Sequence, residues 1–157
     1  MNKEGFFSGV TDTPLTETGQ EQARQAGLSL QDTKIDCIVA SPITRAYDTA
    51  VIIAKEIGYD PAKIITCDDL VERDFGPMEG EVYTTKINLD AIDGVEHSSE
   101  LVERVAKGLK FIEGLEAETV LVVSHGAVGR ALRVLLQDDV RYHQTERFKN
   151  AQVAKLL

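Results

Sequence analysis

Three polar residues follow strand-like or loop segments at positions where they could act on an anion: Arg45, Glu72 and His125. His125 lies in a Ser-His-Gly sequence between an apolar strand and a helix, so its imidazole and the N–H groups of the first helical turn face one crevice. Arg45 lies one turn into a helix, where a guanidinium can bind phosphate through two parallel hydrogen bonds. Glu72 lies between the apolar residues Leu70 and Phe75, and such surroundings favour a raised carboxyl pKa and the role of a general acid.

Each of these residues also has an ordinary structural interpretation. His125 could be satisfied by backbone groups at the strand end, Arg45 could pair with Asp48 on the helix surface, and Glu72 could simply be solvated. Taken singly, the ordinary interpretation is favoured for Arg45 and Glu72. Their shared position outside the carboxyl ends of strands is what favours a common ligand site.

The segments that position these residues alternate between helices and short apolar strands. The first predicted helix, Thr18–Leu30, begins with a capping box of Thr18 and Glu21. The other predicted helices run from Pro42 to about Ile57, from Ser98 or Ser99 to Ile112, and from Gly126 to Leu136. The predicted strands are Ile35–Ala40, Lys63–Cys67, Thr119–Val123 and Ala151–Leu157, and residues 68–95 are mostly irregular. This alternation predicts a single α/β domain with a mostly parallel sheet and helices on both faces.

Composition excludes several classes of function. The 157 residues carry 26 acidic and 17 basic side chains, a net charge of -9, with no cluster of Lys and Arg dense enough to follow a nucleic-acid backbone. The apolar run Thr119–Val123 is far shorter than the ~20 residues of a membrane span. We therefore expect no nucleic-acid partner and no membrane insertion.

The two cysteines point to a reducing compartment. Cys37 and Cys67 lie in apolar strand-like segments without metal-ligand spacing, and the polar start of the chain lacks the apolar segment of a secretory signal. They are predicted to be small buried thiols in a cytoplasmic protein.

Four segments, in order along nearly the whole chain, resemble successive motifs of the histidine phosphatase superfamily, which includes phosphoglycerate mutase: Asp12–Gly19, Ser41–Ala50, Leu70–Gly80 and Val123–Gly126. The resemblance implies a phosphoglycerate mutase-like, three-layer α/β/α fold and phosphoryl transfer through a phosphohistidine, without metal or organic cofactor. By the same resemblance, Glu72 protonates the leaving oxygen, and the phosphoryl pocket is formed by Asn2, Ser8, Gly9, Arg45, His125 and Gly126.

One part of the family pattern has no counterpart in this sequence. Family members begin with an apolar strand that ends in Arg-His-Gly, whose histidine is the nucleophile; Asn2 matches an asparagine that follows it, and Phe6 stands where an arginine is frequent. The other histidines, His97 and His143, lie outside the motifs, and His143 is predicted to be solvated. We therefore expect a chain that is truncated relative to the family and has little activity.

The segment at about 81–97 predicts the type of substrate. It is short for the family, in which mutases build a larger helical cap around a bisphosphate, so a phosphatase acting on a small phosphomonoester is favoured. The carboxylates of Asp90, Asp93 and Glu96 disfavour a polyanionic substrate. The competing hypothesis is a non-catalytic module that binds a phosphate ligand or inorganic phosphate, or that acts through protein contacts.

The missing strand also predicts self-association. In the family it lies inside the sheet, so strand 119–123 is expected to carry unpaired backbone groups, each costing ~1–3 kcal/mol when buried. The chain could shift its strands, fill the slot with residues around Phe6 and Phe7, or pair with another copy. We favour a homo-oligomer, because the N-terminal loop is rich in Gly and Thr and is a poor internal strand.

Overall fold

The computed structural model describes residues 5–82, 84, 87–137 and 140–156. Within these ranges it has four helices, α1 (Glu17–Ser29), α2 (Thr44–Glu56), α3 (Ser98–Glu113) and α4 (Gly126–Leu136), and three strands, β1 (Cys37–Ala40), β2 (Ile65–Thr66) and β3 (Val120–Val123). The strands form one parallel sheet in the order β2-β1-β3. Short 3-10 turns occupy several of the connections.

The central strand β1 separates two helical layers. Its residues Cys37 and Val39 belong to the apolar cluster formed with α3 and α4, whereas Ile38 and Ala40 belong to the cluster formed with α1 and α2. Successive side chains of a strand point to opposite faces, and a strand covered on both faces is apolar throughout. The predicted three-layer α/β/α architecture is therefore confirmed.

Leu70 anchors the loop that carries Glu72. Its side chain is fully buried in the cluster of α3 and α4, together with Leu101 and Val105. Truncating such a side chain to alanine typically costs ~2–5 kcal/mol, so the base of this loop is fixed by packing. Cys37 and Cys67 are buried thiols, as predicted, and burial raises the pKa of both. None of the helices in the described ranges has the length and apolar character needed to cross a membrane.

The first two helices begin at residues other than those predicted. Thr16, not Thr18, caps α1 and accepts the Gly19 N–H at 3.1 Å, while Glu21 bonds to side chains of the next turn. In α2 the helix starts at Thr44 rather than at Pro42, because Ser41 still pairs with the neighbouring strand. Thr18 has the capping-box spacing to Glu21 and Thr16 does not, yet Thr16 caps the helix, so local sequence alone does not determine where α1 begins.

The strands are shorter than predicted. The predicted strand Lys63–Cys67 is reduced to Ile65–Thr66, because Pro61–Lys63 forms a 3-10 turn capped by Asp60. The predicted C-terminal strand is wrong over residues 151–156, and Leu157 lies outside the described residues. Ala151 has a φ of 50°, and Gln152 closes a turn onto the Lys149 carbonyl. Ala151 packs on the cluster of α1 and α2, whereas Leu156 packs on that of α3 and α4, so the segment crosses between layers instead of pairing along the sheet.

Residues 75–95 form a long loop, called the excursion below, whose two ends lie next to each other at a neck formed by the flanking residues Asp74 and Glu96. At its neck the Glu96 N–H donates to the Asp74 carbonyl at 2.9 Å, and the Asp74 N–H donates to Glu96 Oε2 at 3.2 Å. Gly76 and Gly94 meet there with positive φ; a Cβ on Gly76 would lie 2.0 Å from the Gly94 carbonyl oxygen. The neck therefore requires glycine at position 76.

The N-terminal segment, as described from residue 5 onward, pairs with this excursion and not with the sheet. The Phe7 N–H donates to the Glu81 carbonyl at 3.0 Å, and the Gly80 N–H donates to the Phe7 carbonyl at 2.8 Å. Phe7 is buried with its ring 4.9 Å from that of Phe75, and Phe6 forms an antiparallel bridge with Val82. Among the described residues, β3 pairs only with β1.

Candidate functional site

The carboxyl ends of β1 and β3 bring Ser41 and His125 into contact. Ser41 is fully buried, and its hydroxyl lies 2.8 Å from His125 Nε2 while accepting the Ile43 N–H at 3.3 Å. These are the two partners of that hydroxyl in the described structure, so we assign its own proton to a hydrogen bond toward His125 Nε2. The neutral imidazole then carries its proton on Nδ1.

His125 is uncharged at physiological pH. It is the residue before α4, in extended backbone conformation. Burial lowers the pKa of His125 to about 3, and the positive charges of Arg45 and Arg104 act in the same direction. The side chain therefore offers a neutral hydrogen-bond donor and not a cation.

Arg45 lies in the first turn of α2 and is 7% exposed. Two of its guanidinium nitrogens donate to backbone carbonyls of the N-terminal segment, one to Thr11 at 2.9 Å and one to Gly9 at 2.6 Å. Burial lowers the pKa of Arg45, and the carboxylates of Glu72, Asp12 and Glu79 oppose that change. The ordinary pKa of an arginine lies so far above neutrality that Arg45 remains charged.

Glu72 lies at the N-terminus of α4. Its Oε1 accepts the Arg73 N–H at 3.0 Å and the Ala127 N–H, a donor of the first turn of α4, at 3.2 Å. Burial raises the pKa of Glu72, although these two hydrogen bonds and the charges of Arg45 and Arg104 oppose the change. The helix terminus predicted to bind an anion thus holds the carboxylate of Glu72 itself.

The structure brings Arg45, Glu72 and His125 together. The carboxylate of Glu72 stabilises the charged form of Arg45, and Arg45 in turn disfavours protonation of His125. Burial holds the pKa of Glu72 above that of an ordinary glutamate, while the pKa of His125 falls to about 3. The three side chains therefore form one electrostatically coupled group at the carboxyl edge of the sheet.

Of the other residues predicted to line the pocket, three are described in the structure and lie near Arg45 or at the start of α4. Gly9 contacts Arg45 through its carbonyl, and Ser8 is half-buried beside it in the same segment. Gly126 opens α4, and a side chain there would project into open space, which leaves room over the first helical turn. Asn2 lies outside the described residues.

Sequence reasoning missed several residues that hold the group in place. Asp12 caps α2 from a distance, because its carboxylate accepts the Thr44 N–H at 3.0 Å and the Thr44 hydroxyl at 2.6 Å. Glu79 accepts hydrogen bonds from the segment that contacts Arg45. Asp12, Ser41 and Glu79 all fall inside the motif segments, but their partners are distant in sequence and only the fold identifies them.

Arg104, on α3, fixes the loop of Glu72. Its guanidinium donates to the carbonyls of Asp69 at 2.9 Å and Val71 at 3.0 Å, and it makes a two-pronged ion pair with Glu96, each contact at 2.9 Å. Charge-assisted, paired hydrogen bonds of this kind are among the stronger polar contacts in proteins. The Glu72 loop is therefore held from both α3 and the excursion neck.

The other two histidines gather around Asp90. His143 Nε2 lies 3.0 Å from Asp90 Oδ2 and His97 Nε2 lies 3.7 Å from it, while Arg73 binds the other carboxylate oxygen at 2.5 Å. His143 is exposed, as predicted, yet it contacts this carboxylate; His97 caps α3 by accepting the Ser99 N–H. In the described part of the chain, no three His, Cys, Asp or Glu side chains are arranged to hold a metal ion.

A family model described as histidine phosphatase superfamily (branch 1) matches residues 1–157. The chain is 36% identical over 154 residues to the uncharacterized phosphatase PhoE of Bacillus subtilis (strain 168), covering 96% of this chain and 78% of that protein. It spans a smaller share, 31% to 38%, of several longer curated relatives.

Solved structures share the fold. Bacillus stearothermophilus YhfR superimposes with a TM-score of 0.80 and 25% identity, covering 94% of this chain and 80% of that chain. The mycobacterial glucosyl-3-phosphoglycerate phosphatase Rv2419c in complex with inorganic phosphate gives a TM-score of 0.77 at 24% identity, over 93% of this chain and 82% of that chain. The second similarity is one of fold alone.

Proposed function

Because the chain belongs to the histidine phosphatase superfamily, we propose that it is a phosphatase-type domain that binds the phosphoryl group of a small phosphomonoester, or inorganic phosphate. Residues 1–157 would form one phosphoglycerate mutase-like domain with a short cap at about 81–97. The two buried thiols support a cytoplasmic setting. The observation that carries the proposal is the coupled group of Arg45, Glu72 and His125.

Arg45 and His125 are proposed to bind the phosphoryl oxygens. Arg45 supplies a permanent charge whose direction is fixed by two carbonyl acceptors. His125 supplies a neutral donor that Ser41 holds in one tautomer. Phosphoryl transfer is accelerated chiefly by positioning and charge stabilisation, and both side chains are held in fixed positions for that task.

Glu72 is proposed to act as the general acid. In the family mechanism a histidine nitrogen forms a bond to phosphorus, the P–O ester bond breaks, and the leaving oxygen takes a proton from the acid. Water then attacks the phosphohistidine, the carboxylate accepts a proton from that water, and phosphate leaves as the P–N bond breaks. The raised pKa of Glu72 supports this role, because it increases the protonated fraction near neutral pH.

No histidine in the 157 residues follows an arginine, as the nucleophile does in the family pattern. His125 could take that role only by giving up its contact with Ser41 or by presenting Nδ1 in line with phosphorus. We therefore propose that this chain hydrolyses phosphomonoesters slowly. Hydrolysis of p-nitrophenyl phosphate measures this directly: turnover within tenfold of an intact relative, abolished by His125→Ala, would contradict the proposal.

The second candidate function is a non-catalytic module that binds phosphate. The commitment of His125 Nε2 to Ser41 favours it. Trapping of labelled phosphate distinguishes the two functions, since a phosphatase passes through an acid-labile phosphohistidine and a binding module does not. A phosphorylated histidine on this chain would exclude the binding module.

Titration with inorganic phosphate, followed by amide NMR, tests the binding site that both functions share. We expect shifts in residues around Arg45 and His125, and their loss in Arg45→Ala. Arg24→Ala is the matched control, because Arg24 is an exposed arginine of α1. Shifts confined to other surfaces, or unchanged affinity in Arg45→Ala, would exclude this site.

A further inference from the structure

The guanidinium of Arg45 is oriented by a segment far from it in sequence. Both of its described acceptors are carbonyls of the segment Gly9–Thr11, and none is on α2 itself. An arginine side chain has several rotatable bonds, so the helix places its Cα but does not determine the direction of its charge. The position of Gly9–Thr11 therefore sets the direction of the guanidinium.

The segment Gly9–Thr11 is in turn held by Glu79. The Val10 N–H donates to Glu79 Oε1 at 2.8 Å, the Thr11 N–H donates to Oε2 at 3.1 Å, and the Thr11 hydroxyl donates to the same Oε2. Both carboxylate oxygens are thus engaged by two successive residues. The Val10 N–H shares its peptide plane with the Gly9 carbonyl, so Glu79 fixes that acceptor of Arg45 directly. The Thr11 carbonyl belongs to the next residue's peptide plane, and Glu79 positions it through the N–H and hydroxyl of Thr11 itself.

Steric constraints agree with this arrangement. Gly9 has a φ of +51°, and a Cβ there would lie 1.7 Å from Glu79 Oε1. A side chain at position 9 is therefore incompatible with Glu79 where it stands. The carboxylate of Glu79 also stabilises the charge of Arg45, although no direct contact joins the two side chains.

We infer that Glu79 is a positioning residue for the phosphate-binding arginine: its carboxylate orders Gly9–Thr11, and the carbonyls of that segment aim the Arg45 guanidinium. This rests on the proposed function, in which Arg45 binds the phosphoryl group. Glu79 touches no reacting atom, so its effect is exerted through Arg45. Glutamine at position 79 has one acceptor oxygen and one NH2 donor, and the NH2 group would face a donor of the segment Gly9–Thr11. The hydrogen bonds to one carboxylate oxygen would therefore be lost, and those to the other would be kept.

The test measures the affinity for inorganic phosphate by NMR in Glu79→Gln. We expect Kd to rise about tenfold, in keeping with second-layer substitutions in other sites, and the Arg45 Nε–Hε signal to shift and exchange faster with solvent. Glu81→Gln is the matched control, since it removes the same charge from an exposed residue of the same excursion. Its Kd should stay within twofold of the parent chain.

A double-mutant cycle separates positioning from general destabilisation. In the Arg45→Ala background, Glu79→Gln should have no further effect on Kd. An unchanged Kd and Arg45 signal in folded Glu79→Gln, or an undiminished effect in the Arg45→Ala background, would overturn the inference. If Glu79→Gln does not fold, Thr11→Val removes one donor to the carboxylate and is expected to raise Kd about threefold; no change there overturns it equally.

Failure of the proposed function gives a different result. If the parent chain does not bind phosphate at all, or binds it equally well in Arg45→Ala, the phosphate site is wrong. The Arg45 Nε–Hε signal then still reports whether Glu79 orients the guanidinium.

Discussion

The carboxylate of Glu72 accepts the backbone N–H of Ala127 at 3.2 Å, at the N-terminus of α4. This places a negative charge of the protein itself beside the neutral donor of His125 and the cation of Arg45. His125 and Arg45 therefore attract an incoming phosphate, whereas the carboxylate of Glu72 repels it. The protonation of Glu72 decides which of these effects is larger.

Glu72→Gln should bind phosphate about tenfold more tightly at pH 7, because the amide keeps an acceptor for Ala127 and loses the charge. Sulfate, whose charge is constant above pH 3, isolates the effect of pH. Its affinity for the parent chain should fall as pH rises through the raised pKa of Glu72, and it should be flat for Glu72→Gln. Glu113→Gln, an exposed glutamate of α3, controls for net charge. Equal or weaker binding by Glu72→Gln would show that the carboxylate does not compete.

Gly9→Ala should lose phosphate affinity, since a Cβ at position 9 displaces the Glu79 carboxylate that orders the segment next to Arg45. Gly58→Ala is the matched control: it also has a positive φ, +71°, but a Cβ there meets nothing within 4 Å. Both variants should lose ~1 kcal/mol of unfolding free energy from backbone strain. NMR titration together with denaturant unfolding checks the pair, and equal phosphate affinity in both variants would speak against the steric argument.

How far the sequence predicts this site depends on the kind of contact involved. The placement of Arg45 and His125 at the carboxyl edge of the sheet was predictable, because each comes where an apolar strand gives way to a helix, a pattern visible in the local sequence. The placement of Glu72 on the N–H of Ala127 was not predictable, because it joins a loop to a helix 55 positions away. The choice of Thr16 over Thr18 as the cap of α1, and the failure of residues 151–156 to form a strand, depend likewise on neighbours that local patterns do not encode.

Asp90→Asn should make the fold less stable above pH 4. Burial acts to raise the pKa of Asp90, but hydrogen bonds from Ser98 and the ion pair with Arg73 lower it from 3.8 to about 2. A lowered pKa in the folded state contributes stability that is complete above pH ~5 and is lost as pH falls toward 2, here ~2 kcal/mol. Asp93→Asn, an exposed neighbour, should retain the parent profile. Chemical unfolding at pH 7, 4 and 2.5 measures both, and a parent-like profile for Asp90→Asn would contradict the assignment.

The outer edge of β3 is expected to mediate self-association. The Thr119 carbonyl accepts the Asp36 and Cys37 N–H groups, and the Val123 carbonyl accepts that of Ser41. Since a residue of a parallel strand directs both its backbone groups to one neighbour, Val120 and Val122 direct theirs away from β1. Sedimentation velocity at micromolar concentration should show a dimer or larger species. Val122→Pro removes an outward N–H and should shift the oligomeric state toward monomer. A monomeric parent chain with cooperative unfolding would exclude self-association through this edge of β3.

The closed neck of residues 75–95 has a consequence for how such domains diverge. Because the Glu96 N–H meets the Asp74 carbonyl, the intervening polypeptide begins and ends at the same place, and its contour length does not alter the distance between its ends. Residues can be added or removed inside the excursion, away from Glu79 and Asp90, without moving Glu72 on one side of the neck or α3 on the other. Substrate preference can then vary by insertion and deletion in this single stretch, while the groups that handle phosphate stay in register.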